Sequence, residues 1–260
     1  MTLKELAGIR GFFFDLDGVL VQNGETIPGA IRILEILRKK GIPFRILTNR
    51  TTRSLESLHG YLQERAFPVE KKEIFSPSQA AVHFLRHKGS PSCRLFMREE
   101  PGKDFSEFPT NDPSPDYVII GDMNDKWNFE ILKRIFNMIM NGAELVALHK
   151  GRYWRESGEF QLDIGLFVAG LEYVTGKKAH VMGKPSPEFF QMALEDIGLS
   201  PGEVAMLGDD IESDVGGAQR SGLKGVLCLS GKYRRDHDFH IQVEPDLTLD
   251  SIADLEEHIG

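Results

Sequence analysis

Two aspartates two residues apart, Asp15 and Asp17, follow the apolar run Gly11-Phe12-Phe13-Phe14 and precede Gly18. An apolar run ending in acid-x-acid-Gly predicts a buried strand that carries both carboxylates to the sheet edge where open α/β proteins bind ligands. Crowded carboxylates repel one another, so the pair points to a divalent metal, an acid/base role, or both; solvated turn acids are the plain alternative. The same design recurs at Ala205-Met206-Leu207-Gly208-Asp209-Asp210-Ile211-Glu212-Ser213-Asp214, a strand, a glycine and then acids before a helix. Acids at two strand ends can converge on one hard cation, and magnesium takes oxygen ligands while keeping several waters. Asp214 reads equally as a favourable charge on the first turn of the helix that follows.

Two further segments offer groups to an anion. Thr48 and Asn49 close the strand Phe44–Leu47 just before an expected helix, presenting a hydroxyl, an amide and backbone N–H groups. The competing reading is that Thr48 or Thr51 is a plain N-cap. Lys184 stands in Gly183-Lys184-Pro185-Ser186-Pro187, a turn whose glycine and prolines restrict the backbone, so its ammonium is placed to neutralise a phosphate or a carboxylate. His149, Lys150, Arg152 and Tyr153 form a cationic and aromatic string suited to an anion or a ring, or an exposed charged turn.

The elements that must hold these groups alternate. Strands are predicted over Gly11–Phe14, Phe44–Leu47, Arg94–Met97, Tyr117–Ile120, Leu145–Leu148, Val204–Leu207 and Gly225–Leu229. Between them the apolar spacing predicts helices over Pro28–Lys40, Pro77–His87, Asn128–Asn141, Gly165–Thr175, Pro187–Ile197 and Ser213–Ser221. Pro28, Pro77 and Pro187 fall at helix starts, where a missing N–H costs nothing, and the first helix carries Ile31, Leu34, Ile36 and Leu37 on one face. Such alternation predicts parallel sheets covered on both faces. The Pro-, Ser- and charge-rich stretch from Ser90 to Asp116 points to a second, smaller α/β unit inserted into the first.

Composition narrows the function classes. The 260 residues carry 39 acidic against 31 basic groups, a formal net charge of −8, which disfavours nucleic acid and anionic membrane as partners. No apolar stretch approaches the roughly 20 residues that span a bilayer, and Lys4, Glu5 and Arg10 interrupt the N-terminus, so a cytoplasmic protein is expected. The two cysteines, Cys93 and Cys228, sit in apolar runs, as buried thiols of a reducing compartment do. Trp127 and Trp154 read as packing anchors, and His237 and His240, among Asp236 and Asp238, as a solvated loop. Walker, dinucleotide, His-Glu-x-x-His and Gly-x-Ser-x-Gly signatures are absent.

Taken in order, Asp15-x-Asp17-Gly18, Thr48-Asn49, Lys184 and Gly208-Asp209-Asp210-x-x-x-Asp214 resemble the four motifs of the haloacid dehalogenase superfamily of phosphatases. The resemblance implies a Rossmann-like, doubly wound parallel-sheet core over residues 1–76 and 180–260. A smaller α/β C2 cap domain over 77–179 would be inserted into it, as in the NagD-type class. More narrowly, Gly183-Lys-Pro-Ser-Pro-Glu-Phe-Phe190, Asp214-Val-Gly-Gly-Ala-Gln-Arg220, Gly231-Lys-Tyr-Arg234 and Lys150-Gly-Arg-Tyr153 look like the phospholysine phosphohistidine inorganic pyrophosphate phosphatase branch. In that branch the residue matching Asp17 is commonly serine, a departure that bears on substrate class.

By resemblance, Asp15 is the nucleophile that forms an aspartyl-phosphate, and Asp17 the acid and base, its backbone carbonyl also binding magnesium. Asp209 completes the protein's metal ligands with Asp15. Thr48, Asn49 and Lys184 hold phosphoryl oxygens, with Arg152 a further substrate contact, and Asp210 and Asp214 orient metal waters or Lys184. The implied partners are a small phosphorylated substrate and a second copy of the chain through the cap. Two other classes compete: a phosphoacceptor switch, usually much shorter and with its acceptor on an interior strand, and a phosphate-binding regulatory protein without turnover.

Overall fold

The computed structural model describes residues 6–156, 159–231 and 242–259, with backbone alone for 154–156 and 159–160. In chain order these begin with β1 (Gly11–Asp15), a hairpin of β2 (Val21–Gln22) and β3 (Glu25–Thr26), α1 (Ala30–Lys40), β4 (Phe44–Leu47), α2 (Leu55–Gln63) and β5 (Ile74–Phe75). There follow α3 (Pro77–His87), β6 (Cys93–Phe96), α4 (Glu99–Gly102), β7 (Tyr117–Ile120), α5 (Phe129–Met140) and β8 (Glu144–Ala147). A hairpin of β9 (Tyr153–Glu156) and β10 (Glu159–Leu162), α6 (Gly165–Thr175) and β11 (His180–Val181) come next. The chain closes with α7 (Pro187–Ile197), β12 (Val204–Gly208), a π-helical segment (Ile211–Gly216), α8 (Gly217–Arg220), β13 (Lys224–Cys228), β14 (Leu247–Leu249) and a 3-10 helical segment (Ile252–His258). Two compact units result: Met1–Thr48, Glu56–Phe75 and Lys184–Gly260 form the first, Asn49–Leu55 and Ser76–Gly183 the second.

The first unit is built on a sheet ordered β14-β13-β12-β1-β4-β5, parallel at each pairing. Every residue of β1 and of β12 is buried, which is why both read as continuous apolar runs rather than alternating ones. The chain runs outward from β1 through β4 to one side and from β12 through β13 to the other. The β1/β12 boundary is therefore a point where strand order reverses, the place where open α/β sheets bind ligands at the carboxyl ends of their strands.

Helix α1 buries Ala30, Ile33, Leu34 and Leu37 and ends at Gly41 in the left-handed conformation (φ 68°), with Arg38, Lys39 and Lys40 in its last turn. Its start corrects the expectation at Pro28. Gly29 turns left-handed (φ 86°) where a Cβ would meet that of Ala253 at 2.6 Å, so helical geometry begins only at Ala30. The buried stripe likewise includes Ile33, whereas Ile31 and Ile36 are only partly covered. Pro77 and Pro187 do occupy helix starts, and α7 ends at the left-handed Gly198 (φ 74°).

The second unit has its own parallel sheet, β11-β8-β7-β6. Phe96, Val118, Ile120, Leu145 and Ala147 of that sheet pack with Ile135 and Ile139 of α5 and Val168 and Leu171 of α6. Trp127 stacks on Phe167 with centroids 4.4 Å apart and packs on this core, as a packing anchor does. The side chain of Trp154, and the segment holding His237, His240 and Lys232-Tyr233-Arg234, lie outside the described residues. Cys93 and Cys228 are both free and buried; burial raises the Cys93 thiol to about 11 and the Cys228 thiol higher still. No helix among the described residues is long and apolar enough to cross a membrane.

Candidate active site

Asp15 is the last residue of β1, Thr48 directly follows β4, and Asp209 directly follows β12, so the strand order alone sets three motif residues side by side at one sheet edge. Lys184 enters the same place from the start of the chain's return to the first unit. All four are buried together with Asp214: relative exposures are 8% for Asp15, 0% for Thr48, 4% for Lys184, 4% for Asp209 and 0% for Asp214.

The ammonium of Lys184 is the hub. Its Nζ donates to Asp15 Oδ1 at 2.7 Å and to the Leu47 carbonyl at 3.3 Å, and lies 2.7 Å from Asp214 Oδ1. The other oxygen of Asp214 accepts from the Asp210 backbone N–H at 3.1 Å, while Asp15 Oδ1 also accepts from the Leu16 N–H at 2.8 Å. Burial disfavours the charged lysine, yet Asp15 and Asp214 outweigh that cost and hold its pKa above the ordinary lysine value. For Asp15 the balance goes the other way. Burial raises its carboxyl well above the usual range, Lys184 lowers it, and Asp214 and Asp209 push it up again.

That imbalance identifies what the site is suited to hold. Ligand oxygens of Asp15, Asp209 and Asp214 lie within 4.8 Å of one another, so a third buried carboxylate crowds the two that the Lys184 ammonium pairs with. Excess negative charge out of water calls for a cation or a proton. The donors are all hard oxygens, without sulfur or imidazole, which fits magnesium or calcium rather than zinc or copper.

Glycines make room for these acids. A Cβ on Gly208 would stand 2.1 Å from Asp214 Cβ, and one on Gly18 or Gly231 would stand 2.2 Å or 2.1 Å from Asp209 Oδ2. The glycines next to Asp17 and Asp209 in the chain, Gly18 and Gly208, were the visible signal of this role; Gly231, which adjoins no motif acid, gave none. Asp17 is exposed at the start of the turn that Gly18 makes possible with φ 84°.

Some expected placements need correction. No helix follows Thr48 directly. Residues 49–54 intervene and α2 begins at Leu55, so neither Thr48 nor Thr51 caps it and no helix terminus stands at Thr48. The cause is long-range: Ser54 Oγ donates to Glu100 and the Leu55 N–H to Asp104, and the stretch belongs to the second unit. Asn49 there lies against Gly183, where a Cβ would meet Asn49 Oδ1 at 2.9 Å. The helix expected from Ser213 begins earlier, at Ile211, in π-helical geometry, because Asp210 Oδ1 accepts from the N–H groups of Glu212 and Ser213. In the second unit His149 is buried beside Asp163 at 3.4 Å and Lys150 pairs with Glu172 at 2.6 Å; Arg152 and Tyr153 are exposed to solvent.

A family model described as haloacid dehalogenase-like hydrolase matches residues 12–107, and a second, HAD-hydrolase-like model matches residues 181–255. The chain is 34% identical over 257 residues to the phospholysine phosphohistidine inorganic pyrophosphate phosphatase of Homo sapiens, covering 96% of this chain and 94% of that protein. Among solved structures it superposes on NagD from E. coli K-12 with a TM-score of 0.83 and 26% identity, covering 94% and 97% of the two chains. It superposes on the p-nitrophenyl phosphatase of Archaeoglobus fulgidus with a TM-score of 0.88 and 25% identity, covering 95% and 98%.

Proposed function

Because the chain belongs to the haloacid dehalogenase-like hydrolases, as a phosphatase of their NagD-type subfamily IIA, we propose that it hydrolyses small phosphate monoesters through a phosphorylated Asp15. The observation that carries this reading is the buried carboxylate of Asp15, held by Lys184 at 2.7 Å within a cluster of excess carboxylates. Such a group is fixed in orientation and poorly solvated, which suits a nucleophile.

Magnesium would be held by the Asp15 and Asp209 carboxylates and the Asp17 carbonyl, where, once bound, it neutralises charge on the phosphoryl group. An Asp15 oxygen attacks phosphorus while the bond to the leaving oxygen breaks, and the Asp17 carboxyl gives that oxygen its proton. The Asp17 carboxylate then takes a proton from water, whose oxygen attacks the aspartyl-phosphate, releasing phosphate and restoring Asp15. Lys184, the Thr48 hydroxyl and the Asn49 amide steady the phosphoryl oxygens, with Arg152 a further contact, while Asp214 anchors Lys184 and Asp210 caps the segment that carries Asp214.

Turnover of p-nitrophenyl phosphate is expected to require magnesium and to vanish in excess chelator, and calcium, larger and tolerant of higher coordination, is expected to inhibit. Magnesium should also raise the melting temperature of the chelated protein, since a ligand of the folded state alone stabilises it. Full activity in chelator would refute the metal site, and one stoichiometric phosphorylation without turnover would make the protein a switch.

Substrate class turns on Asp17. The human relative is named for phospholysine, phosphohistidine and inorganic pyrophosphate, and P–N and pyrophosphate bonds are the second reading here. A positioned carboxylic acid helps most when the leaving group is a poorly stabilised alkoxide, so monoesters should rank first. Asp17→Ser should slow alkyl phosphates by about 10²-fold or more and p-nitrophenyl phosphate far less. Equal slowing of both, or wild-type preference for pyrophosphate over every monoester on a panel, would reverse the ranking.

A homodimer through the second unit completes the proposal, for a protein acting in the cytoplasm. That unit exposes Tyr153 (59%), Leu162 (76%) and Tyr173 (87%), apolar surface that a second copy would cover. Light scattering should give twice the mass of one chain, and a monomer across a wide concentration range would remove the dimer.

A further inference from the structure

One side chain ties the turn that carries Asp17 to the end of β13. The Ser230 hydroxyl donates to the Gly18 carbonyl at 2.7 Å, and the Ser230 carbonyl accepts from Gln22 Nε2 at 2.7 Å. Ser230 is thus gripped twice by the segment that follows Asp17. That segment closes on itself: the Gly18 N–H donates to the Val21 carbonyl at 2.7 Å, and the Val21 N–H to the Leu16 carbonyl at 2.9 Å. The same two loops meet at Asp209, which fills the space where a Cβ on Gly18 or on Gly231 would be. Ser230 is bonded covalently to one of these glycines and by hydrogen bond to the other.

Glycine resists few backbone rotations, so the course of a turn at a glycine depends on what the glycine's peptide groups bond to. Here the Gly18 N–H is bonded to Val21 and the Gly18 carbonyl to Ser230, which fixes the peptide planes on both sides of Gly18. We propose that Ser230 is a positioning residue for the phosphatase reaction: its hydroxyl, through the Gly18 carbonyl, sets the direction in which the Asp17 carboxyl leaves the turn. The inference rests on Asp17 as the acid and base. A displaced acid transfers its proton poorly, and misplacement by about 1 Å can cost on the order of 100-fold.

The test compares Ser230→Ala, Ser230→Thr, Asp17→Ser and the double variant Asp17→Ser/Ser230→Ala with wild type, in magnesium, on an alkyl phosphate and on p-nitrophenyl phosphate. Ser230→Ala should lower kcat on the alkyl phosphate by about 10- to 100-fold and on p-nitrophenyl phosphate by only a few-fold. Ser230→Thr, which keeps the hydroxyl, should restore both. On the Asp17→Ser background the alanine should cost nothing more, because the group it positions is already gone. Equal slowing of the two substrates, loss without rescue by threonine, or full additivity in the double variant would overturn the role of Ser230. Leaving-group dependence in Asp17→Ser but not in Ser230→Ala overturns Ser230 alone; its absence from Asp17→Ser overturns the reading of Asp17 and the positioning role with it.

Discussion

Asp15→Asn is expected to bring hydrolysis down by about 10⁴-fold or more, the scale on which removal of a nucleophile acts, while the protein still folds. Asparagine keeps the shape of the side chain but offers no anionic oxygen to phosphorus, so single-turnover experiments with labelled substrate should trap no phosphoenzyme. Stability should move the other way. The folded-state pKa of Asp15 is raised, above all by burial, so the contribution of this carboxyl is present below the unfolded value and is lost as pH rises through the folded one. The metal-free asparagine variant should therefore melt no lower than metal-free wild type at pH 8, and that relative advantage should shrink as pH falls toward about 4. Turnover within about tenfold of wild type would exclude the covalent route.

Lys184→Met should damage both the fold of the first unit and turnover. It leaves the buried Asp15 and Asp214 without the ammonium 2.7 Å from each. Breaking a buried ion pair on one side costs about 3–5 kcal/mol, which lowers the melting temperature by on the order of 10 °C in a chain of this size. Asp15, whose carboxyl burial already raises, can recover by taking up a proton, so the deficit should be smaller at pH 5 than at pH 8. Magnesium should restore part of the stability, since it neutralises Asp15, but not the rate, because the cation that steadies the phosphoryl oxygens is gone. A melting temperature within about 2 °C of wild type at pH 8 without metal would mean that Lys184 does not balance these acids.

The elements were legible where local physics is strong. The spans of β4, β7, α3, α6 and α7 stand where the apolar runs, Pro77 and Pro187 put them. Short or weakly patterned pieces were not. The two-residue strands β5 and β11 carry too few side chains for a period, the edge strand β14 has only three residues, and α2 buries only Leu58 and Leu62 around an internal Gly60. The antiparallel pair β9 and β10 and the π-helical start at Ile211 were likewise not foreseen, the latter because its cause is the Asp210 carboxylate capping two N–H groups rather than a repeat of apolar residues.

What the sequence by itself determined were residue types and their local setting: acids, a hydroxyl, an amide and a lysine beside glycines and prolines at the ends of apolar runs, in an order that marks a phosphatase family. Only the tertiary structure decided how they meet. Lys184 stands 169 residues from Asp15 along the chain, yet donates to it at 2.7 Å and also faces Asp214. Asp209 is closed in by Gly18 and Gly231, and Ser230 reaches back to the turn after Asp17. The physical reason is range. Turns, caps and apolar periods depend on neighbours a few residues away and are written locally, whereas burial of a charge and the partner that compensates it depend on which strands lie side by side, and that order appears only when the sheet is assembled.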